Sequence, residues 1–349
     1  MRVVVTGASG NVGTGVVAAL ARDPAVDEVV GVARREVLDL DQPKVRHVAA
    51  DVAEEDLEPI LRGADAVVHL AWLFQPTHRP EVTWRANAIG SGRVFRAAGR
   101  AGVRALVHAS SVGAYSPRHD DVPVDETWPT DSLPTAGYGR EKAYAERLLD
   151  AFEAEHPEVR VVRMRPGFIF QRASATQQRR LFAGPLLPAA LVRPGRLPVV
   201  PVPAGLRFQA LHQQDAADAY RRAVLSDARG AFNVAAEPVM GAAEIAAALG
   251  ARPVGVPATA TRAALSALWH LHAVPASPQL FDLVMRLPVM ATERARQELG
   301  WQPRFTGVEA LREALFGMAD GAGGPTAPLA PDSPAGRIAE IATGVGERP

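Results

Sequence analysis

Short apolar runs rich in β-branched residues alternate with longer amphipathic stretches through the first half of the chain. Alternation of this kind is typical of parallel strands joined by crossover helices, so we predict an α/β fold built on one doubly wound parallel sheet. Small and apolar residues recur at helical spacing between Ala86 and Ala97, which predicts a buried helix face before the fifth strand. The predicted strands are Arg2–Thr6, Glu28–Val32, Val45–Ala49, Ala66–Leu70, Ala105–Ala109 and Arg160–Met164.

The pattern changes after Phe170. Prolines at positions 185, 188, 194, 198, 201 and 203 interrupt the chain too often for long helices, and this predicts a smaller C-terminal lobe. A strand near Phe232–Ala235 is predicted to return to the main sheet. Later helices are predicted at Gly241–Leu249, Thr261–His272, Thr292–Leu299 and Val308–Phe316.

These patterns divide the chain into three parts. Residues 1–168 are predicted to form the main α/β domain, which residues 206–236 rejoin. Residues 169–318 are predicted to form mainly a substrate-binding lobe. Gly, Pro and Ala dominate residues 319–349, and too little apolar material remains there for a core, so we predict a disordered tail.

The composition narrows the classes of partner. Basic and acidic residues both number 38, so no net charge draws the protein to nucleic acid or to an anionic membrane. Cysteine is absent, which excludes disulfides, thiolate metal sites and cysteine nucleophiles. No stretch resembles a signal peptide or reaches the ~18 apolar residues of a membrane span. We therefore expect a cytoplasmic enzyme with a small-molecule substrate and no metal, and a homodimer is compatible with the sequence.

A glycine-rich turn follows the first strand and opens an amphipathic helix that ends near Arg22. Its first glycine permits a tight turn, its second lets the backbone approach a diphosphate, and its third lets helix and strand pack closely. The diphosphate would then meet free amide groups at the helix N-terminus. This arrangement predicts a dinucleotide site at Gly7, Gly10, Asn11, Val12 and Gly13.

The end of the second strand bears on the choice of cofactor. Arg34 and Arg35 stand there, with no acidic residue at the strand tip. Two adjacent guanidinium groups suit the 2′-phosphate of NADP, so we favour NADP over NAD. In the alternative, both arginines are solvated and Glu36 or Asp39 reaches the ribose of NAD.

Tyr138 and Lys142 lie one helical turn apart in the segment after the fifth strand. A nearby ammonium group can lower the pKa of a phenol from its ordinary value of ~10, because it stabilises the phenolate. The pair therefore predicts a tyrosine that acts as a general acid or base.

Together these motifs resemble the extended short-chain dehydrogenase/reductase family, also called the NAD-dependent epimerase/dehydratase family, from about Met1 to Phe316. The resemblance implies a Rossmann-type fold and an enzyme that binds NAD or NADP. Besides the glycine turn and the Tyr138–Lys142 pair, the matching segments are Asp51-Val52, His69-Leu70-Ala71, Asn87, Ser110–Tyr115, Arg165-Pro166-Gly167, His212–Asp215 and Gly300–Pro303.

The resemblance also implies roles for single residues. Ser111 would hydrogen-bond the reacting oxygen, Tyr138 would exchange its proton, and Lys142 would hold the nicotinamide ribose. Further cofactor contacts are implied for Asp51, Val52, Leu70, Ala71, Asn87 and Pro166. Structural alternatives remain open for four of these positions: a strand-end cap for Ser111, a helix N-cap for Asp51, an exposed helix residue for Asn87 and a core residue for His69.

The neighbouring residues restrict the reaction. Sugar-nucleotide dehydratases place acidic residues just after the catalytic hydroxyl, where this chain has Val112 and Gly113, so dehydration is not expected. The asparagine that epimerases carry after the sixth strand is absent, although Arg193, Arg196 and Arg207 are candidates for holding a diphosphate.

Trp72 and Phe74 follow the fourth strand, and the lobe is rich in apolar residues, which suits a ketone or alcohol. We therefore predict a carbonyl reductase or alcohol dehydrogenase. A nucleotide-sugar epimerase is the alternative, and a non-catalytic NADP sensor is a less favoured one.

Overall fold

A seven-stranded parallel sheet forms the centre of the protein in a computed structural model, which describes residues 1–35 and 42–347. The strand order is β10-β6-β5-β4-β1-β2-β3, which reverses direction between β1 and β4. In open parallel sheets the crevice at such a reversal, beyond the carboxyl ends of the strands, is where ligands bind. The strands are β1 (Arg2–Thr6), β2 (Glu28–Ala33), β3 (Val45–Ala49), β4 (Ala66–His69), β5 (Ala105–Ala109), β6 (Arg160–Pro166) and β10 (Gly230–Val234).

Helices cover both faces of this sheet, and the predicted doubly wound α/β fold is confirmed. Successive residues of β1 point to opposite faces of the sheet. Val3 and Val5 join the core beneath the helices Asn11–Ala21 and Gln213–Leu225, whereas Val4 joins the core beneath Gly90–Ala101 and Gly137–Glu155. The helices of this domain are α1 (Asn11–Ala21), α2 (Glu58–Leu61), α3 (Pro80–Trp84), α4 (Gly90–Ala101), α5 (Gly137–Glu155) and α7 (Gln213–Leu225). A π-helical turn, Arg85–Ile89, joins α3 to α4.

The smaller lobe contains two short parallel pairs of strands, Phe168–Phe170 with Ala210–His212 and Val199–Pro203 with Arg252–Val256. The strand predicted near Phe232–Ala235 is β10, which pairs with β6 at the edge of the main sheet. The elements of the lobe and of the C-terminal segment are β7 (Phe168–Phe170), α6 (Ala175–Gln178), β8 (Val199–Pro203), β9 (Ala210–His212), α8 (Ala242–Leu249), β11 (Arg252–Val256), α9 (Ala258–His270), α10 (Pro278–Val284), α11 (Glu293–Glu298), α12 (Gly307–Ala319) and α13 (Pro334–Ala342).

The disordered tail predicted for residues 319–349 is wrong for the part that the structure describes, which ends at residue 347. Helix α13 forms within this segment, and Leu329 is buried. The segment has no core of its own but packs onto the lobe, where Glu340 and Asp332 form ion pairs with the fully buried Arg179 at 2.7 and 3.4 Å. Its order therefore comes from contacts that are distant in sequence.

Among residues 1–35 and 42–347, no helix is both long and apolar enough to cross a bilayer.

Candidate active site

The glycine turn between β1 and α1 is shaped by close approaches of the backbone. Gly7 has a φ of +71°, and a β-carbon there would lie 2.6 Å from the Ala71 nitrogen. A β-carbon at Gly13 would lie 2.1 Å from the Gly7 carbonyl oxygen. Gly10 is different, because a β-carbon there would have ordinary contact, at 3.4 Å, with its nearest neighbour, the Gly7 carbonyl oxygen. Two glycines are therefore required by packing, while Gly10 leaves space free above the N-terminus of α1.

A cavity of about 550 Å³ lies beside this turn, at the carboxyl ends of β1, β2 and β4. Its volume is within the range of small-molecule sites. Asn11, Val12, Gly13 and Pro166 are not among its lining residues. The predicted cofactor residues that do line it are Gly7, Gly10, Arg34, Arg35, Asp51, Val52, Leu70, Ala71 and Asn87.

Arg34 and Arg35 are exposed at the end of β2, and both line the cavity. Within the described part of the chain neither guanidinium group has a hydrogen bond or an ion pair. The competing acidic residues, Glu36 and Asp39, lie outside the described residues.

Asp51 lies after β3 at the edge of the cavity. Its carboxylate accepts a hydrogen bond of 2.8 Å from the Ala53 nitrogen in a turn. The structure has no helix beginning at Ala53, since the next helix along the described chain is α2 at Glu58, so the helix N-cap alternative for Asp51 is wrong. One carboxylate oxygen therefore shapes a turn at the cavity wall.

The three predicted catalytic side chains lie together at the end of β5 and the start of α5. The Tyr138 hydroxyl donates a hydrogen bond of 3.0 Å to Ser111 Oγ, which also accepts one from the Gly113 nitrogen. The Lys142 ammonium donates to the Ala109 carbonyl oxygen at 2.7 Å and lies 6.0 Å from the centre of the Tyr138 ring. Serine and tyrosine are thus in direct contact, and the lysine binds the strand rather than the phenol.

Burial dominates the ionisation of this group. It raises the pKa of Tyr138 to about 12, although the hydrogen bond with Ser111 acts in the opposite direction. Burial also lowers the pKa of Lys142 to about 7, against the opposing charges of Glu141 and Glu146. The expected lowering of the Tyr138 pKa by Lys142 is therefore not what this arrangement produces. At neutral pH the phenol is protonated and ready to donate.

Aromatic side chains separate the catalytic group from the cavity. Trp72 and Phe74 line the cavity, whereas Ser111, Tyr138 and Lys142 do not. The Lys142 ammonium lies 3.4 Å from the centre of the Trp72 ring, and the Phe74 ring stacks on the Tyr138 ring at 5.0 Å. The reacting groups therefore lie beneath an apolar layer that follows β4.

Asn87 holds the segment after β4 in place. Its amide oxygen accepts from the Leu73 nitrogen at 2.7 Å, and its amide nitrogen donates to the Leu73 carbonyl and to Glu141. Glu141 also accepts from Thr83, and burial raises its pKa. Asn87 is fully buried, so the alternative of an exposed helix residue is wrong. Sequence reasoning missed Glu141, although an acid between Tyr138 and Lys142 was a visible signal.

A second buried network lies behind the serine. Glu146, four positions after Lys142 on α5, is fully buried and accepts hydrogen bonds from Ser110 and Arg165 at 2.6 and 2.9 Å. Burial acts to raise the pKa of Glu146, but Arg165 and Arg163 lower it below the ordinary value. This network ties the end of β5 to β6 and α5, and sequence reasoning did not find it.

His69 is a core residue, as the structural alternative proposed. Its two ring nitrogens contact the hydroxyls of Thr6 and Ser91 at 2.7 and 2.9 Å, and burial lowers its pKa to about 3. Pro166 is buried where β6 ends. Neither side chain lines the cavity.

The candidate diphosphate-binding arginines are partly neutralised within the protein. Arg193 forms an ion pair with Asp320, and Arg207 forms one with Asp121 at 2.6 Å. The described residues contain no cluster of side chains suited to a metal ion.

The buried Lys142 predicts a specific dependence of stability on pH. Its folded-state pKa of about 7 lies below the ordinary 10.5, so between these values the unfolded chain binds the proton that the folded chain lacks. The free energy of unfolding should then rise with pH across that interval, by up to about 1.4 kcal/mol per pH unit.

Chemical denaturation of wild type and Lys142→Met at several pH values from 7 to 10.5 measures this contribution. The free energy of unfolding of wild type, minus that of Lys142→Met, should increase as the pH rises. A constant difference would show that the lysine keeps its ordinary pKa.

The sheet order, the glycine turn at the strand reversal and the cavity beside it define a dinucleotide-binding α/β enzyme. The chain belongs to the NAD dependent epimerase/dehydratase family, whose model matches residues 3–235. This confirms the resemblance seen in the sequence motifs.

The individual relatives share about a third or less of their residues with this chain. An uncharacterized protein of Mycobacterium tuberculosis is 29% identical over 334 residues, which cover 90% of this chain and 83% of the relative. A 4-hydroxy-2-methyl-3-oxo-4-farnesyl-3,4-dihydroquinoline-1-oxide ketoreductase of Stigmatella aurantiaca is 32% identical over 177 residues, 49% of this chain and 51% of the relative.

Solved structures show the same fold. MoeE5, in complex with UDP-glucuronic acid and NAD, has a TM-score of 0.68 and 24% identity, with 92% of this chain and 99% of that chain covered. The UDP-glucose 4-epimerase of Thermus thermophilus, in complex with NAD, has a TM-score of 0.65 and 22% identity, with 91% and 99% covered.

Proposed function

We propose that the protein is an NAD(P)-dependent oxidoreductase that interconverts a ketone and a secondary alcohol, with Tyr138 as the acid in the reducing direction. One observation carries the proposal: the protonated Tyr138 hydroxyl contacts Ser111 at 3.0 Å, at the carboxyl end of β5. The hydroxyl groups of Tyr138 and Ser111 are close enough together for both to hydrogen-bond a single carbonyl oxygen.

The residues of the chain fit the cofactor. The free space at Gly10 and the N-terminus of α1 suit a diphosphate, and Leu70 and Ala71 form the adjoining wall. The nicotinamide supplies the hydride when the cofactor is bound. Lys142, buried beside Tyr138, would hold the nicotinamide ribose with the ammonium group that here donates to the Ala109 carbonyl.

The remaining steps belong to this chain. Ser111 hydrogen-bonds the substrate carbonyl oxygen and stabilises the negative charge that develops there. Tyr138 then gives its proton to that oxygen, which is favourable because an alkoxide is a stronger base than a phenolate. A pKa of about 12 keeps Tyr138 protonated at neutral pH, which favours the reducing direction.

The surroundings support an apolar substrate. Trp72 and Phe74 lie against Tyr138, and the Phe182 ring packs edge-on against Phe74 with the ring centres 5.9 Å apart. A β-carbon at Gly113 would lie 2.8 Å from the Tyr138 ring, so the acid that a dehydratase carries near this position would displace that ring. The partial match to a ketoreductase of a farnesylated ring agrees with a bulky apolar ketone.

A nucleotide-sugar epimerase remains the second candidate, because both solved neighbours described above are nucleotide-sugar complexes or epimerases. The ion pairs of Arg193 and Arg207 count against it, since these guanidinium groups already face carboxylates.

A parallel assay separates the two candidates. The protein is incubated with NADH or NADPH and a panel of bulky cyclic ketones, and loss of the reduced nicotinamide absorbance is followed. In separate reactions UDP-sugars are incubated with the protein and analysed by chromatography. Ketone-dependent oxidation of the cofactor supports the proposal, whereas interconversion of sugars without net oxidation would favour the epimerase.

We further propose that Arg34 and Arg35 make the protein bind NADP more tightly than NAD. The neighbours described above contain NAD, whereas in this chain two guanidinium groups line the cavity without a partner among the described residues. Replacing either arginine with alanine should shift the ratio of the two dissociation constants toward NAD by about ten-fold, because a hydrogen bond to a charged group contributes ~1.5–3 kcal/mol.

Calorimetric titration with both cofactors measures this ratio. Arg46→Ala is the matched control, since Arg46 is an exposed arginine on the neighbouring strand β3 that does not line the cavity. If the ratio of the two dissociation constants is unchanged in Arg34→Ala and Arg35→Ala, these arginines do not determine the preference for NADP and the proposal is wrong.

A further inference from the structure

The C-terminal strap, residues 321–347, forms one wall of the cavity that we assign to the cofactor. Eight of the residues that line the cavity come from this strap, between Ala327 and Glu340. The strap lies wholly outside the residues matched by the family model, which end at 235. The part of the chain beyond the matched residues therefore contributes directly to the cavity wall.

The strap is attached to the dinucleotide-binding domain near both of its ends. Near its start, the Thr326 hydroxyl donates a hydrogen bond of 2.7 Å to the Ser9 carbonyl oxygen in the glycine turn. Near its other end, the Gly346 carbonyl accepts from the Thr77 nitrogen, and Glu347 forms an ion pair with Arg79 at 2.8 Å. These two attachments lie on the turn after β1 and on the segment after β4, so the strap spans the mouth of the cavity.

The middle of the strap is held by the smaller lobe. Arg179, fully buried, forms ion pairs with Glu340 and Asp332. Arg337 donates to the carbonyl oxygens of Pro185 and Leu187. The lobe and the dinucleotide-binding domain therefore both hold the strap in its place along the cavity wall.

We propose that the strap is part of the cofactor site and that the dinucleotide enters and leaves only when the strap detaches from the dinucleotide-binding domain. This inference rests on the proposed binding of a nicotinamide dinucleotide in this cavity. Its consequence is slow exchange of cofactor, set by the attachments of the strap.

A reversible crosslink tests the proposal. The natural chain has no cysteine, so Arg79→Cys with Glu347→Cys places the only two thiols where the C-terminal end of the strap meets the segment after β4. Neither residue lines the cavity. A short bis-thiosulfonate linker between them would close the strap into a loop, since α12 already holds its other end. Dissociation of NADH or NADPH, followed by nicotinamide fluorescence, should slow at least ten-fold on crosslinking and recover after reduction.

A second pair of variants tests the attachment of the strap to the glycine turn, near the start of the strap. Thr326→Val removes the hydroxyl that contacts Ser9 and should speed dissociation about five-fold, as expected for the loss of one hydrogen bond. Thr343→Val is the matched control on the same strap, because the Thr343 hydroxyl binds the Ala339 carbonyl of α13 and no other group among residues 1–35 and 42–347. It should leave the rate unchanged.

The outcomes separate the two proposals. Equal dissociation rates in the crosslinked and reduced protein would overturn the role of the strap while leaving cofactor binding intact. No binding of either dinucleotide to the reduced protein would overturn the proposed function, and the assignment of the strap with it.

Discussion

Replacing Tyr138 with phenylalanine is expected to lower turnover by a factor of about 10²–10⁴, the usual contribution of a general acid. The substitution removes the proton that Ser111 helps to direct, yet it keeps the ring that stacks on Phe74. Binding of the dinucleotide should therefore change little. Steady-state kinetics on the ketone identified in the assay above, together with calorimetric titration of the cofactor, measures both quantities.

Tyr144→Phe is the matched control for this experiment. Tyr144 lies on the same helix, is exposed, and packs against Trp84 instead of the catalytic group. Its loss of a hydroxyl should leave turnover unchanged. Near-wild-type turnover by Tyr138→Phe would contradict the assignment of the acid, whatever cofactor the protein uses.

Replacing Gly10 with valine is expected to weaken dinucleotide binding at least about 100-fold, equivalent to losing two hydrogen bonds to a charged group at ~1.5 kcal/mol each. Gly10 has φ −84° and ψ −179°, a conformation that valine adopts without strain. A β-carbon there has 3.4 Å to its nearest neighbour, so the added methyl groups would enter the space assigned to the diphosphate. Calorimetry measures the affinity, and circular dichroism verifies the fold.

Gly255→Val provides the control for adding the same side chain elsewhere. A β-carbon at Gly255 would have nothing within 4 Å, and this residue lies on β11, away from the glycine turn. Its affinity for the dinucleotide should equal that of wild type. If Gly10→Val also binds normally, the diphosphate does not lie over this turn.

Two catalytic features followed from short segments of sequence. The spacing of Tyr138 and Lys142 placed both side chains at the start of α5, because helical periodicity is a local property. Ser111 followed from its place at the end of a predicted strand, and the structure puts it in contact with Tyr138. The raised pKa of Tyr138 did not follow, because it comes from burial, which outweighs the hydrogen bond with Ser111. The Lys142 ammonium binds the Ala109 carbonyl instead of the phenol.

The residues that hold the site together were less accessible to sequence reasoning. Asn87 and Glu141 are 54 positions apart, yet their hydrogen bond joins the π-helical turn to α5. Glu146 stabilises the end of β5 through Ser110 and Arg165. A lone acid or amide in a sequence carries no information about its partner, so only the folded chain reveals these pairs.

Apolar runs with β-branched residues were enough to predict the parallel sheet, since the strands from β1 to β6 begin and end within a few residues of their predicted bounds. The glycine turn was equally clear from its spacing, although only Gly13 meets close contacts within the turn itself, whereas those of Gly7 are with Ala71 after β4. The folded structure of residues 321–347 was not predictable from sequence, because a glycine- and proline-rich segment has little tendency to fold alone. Arg179, 161 positions before Glu340, neutralises and holds that segment across the cavity. Local patterns thus specify strands, helices and turns, whereas the enclosure of the site depends on charges and packing that meet only after the chain has folded.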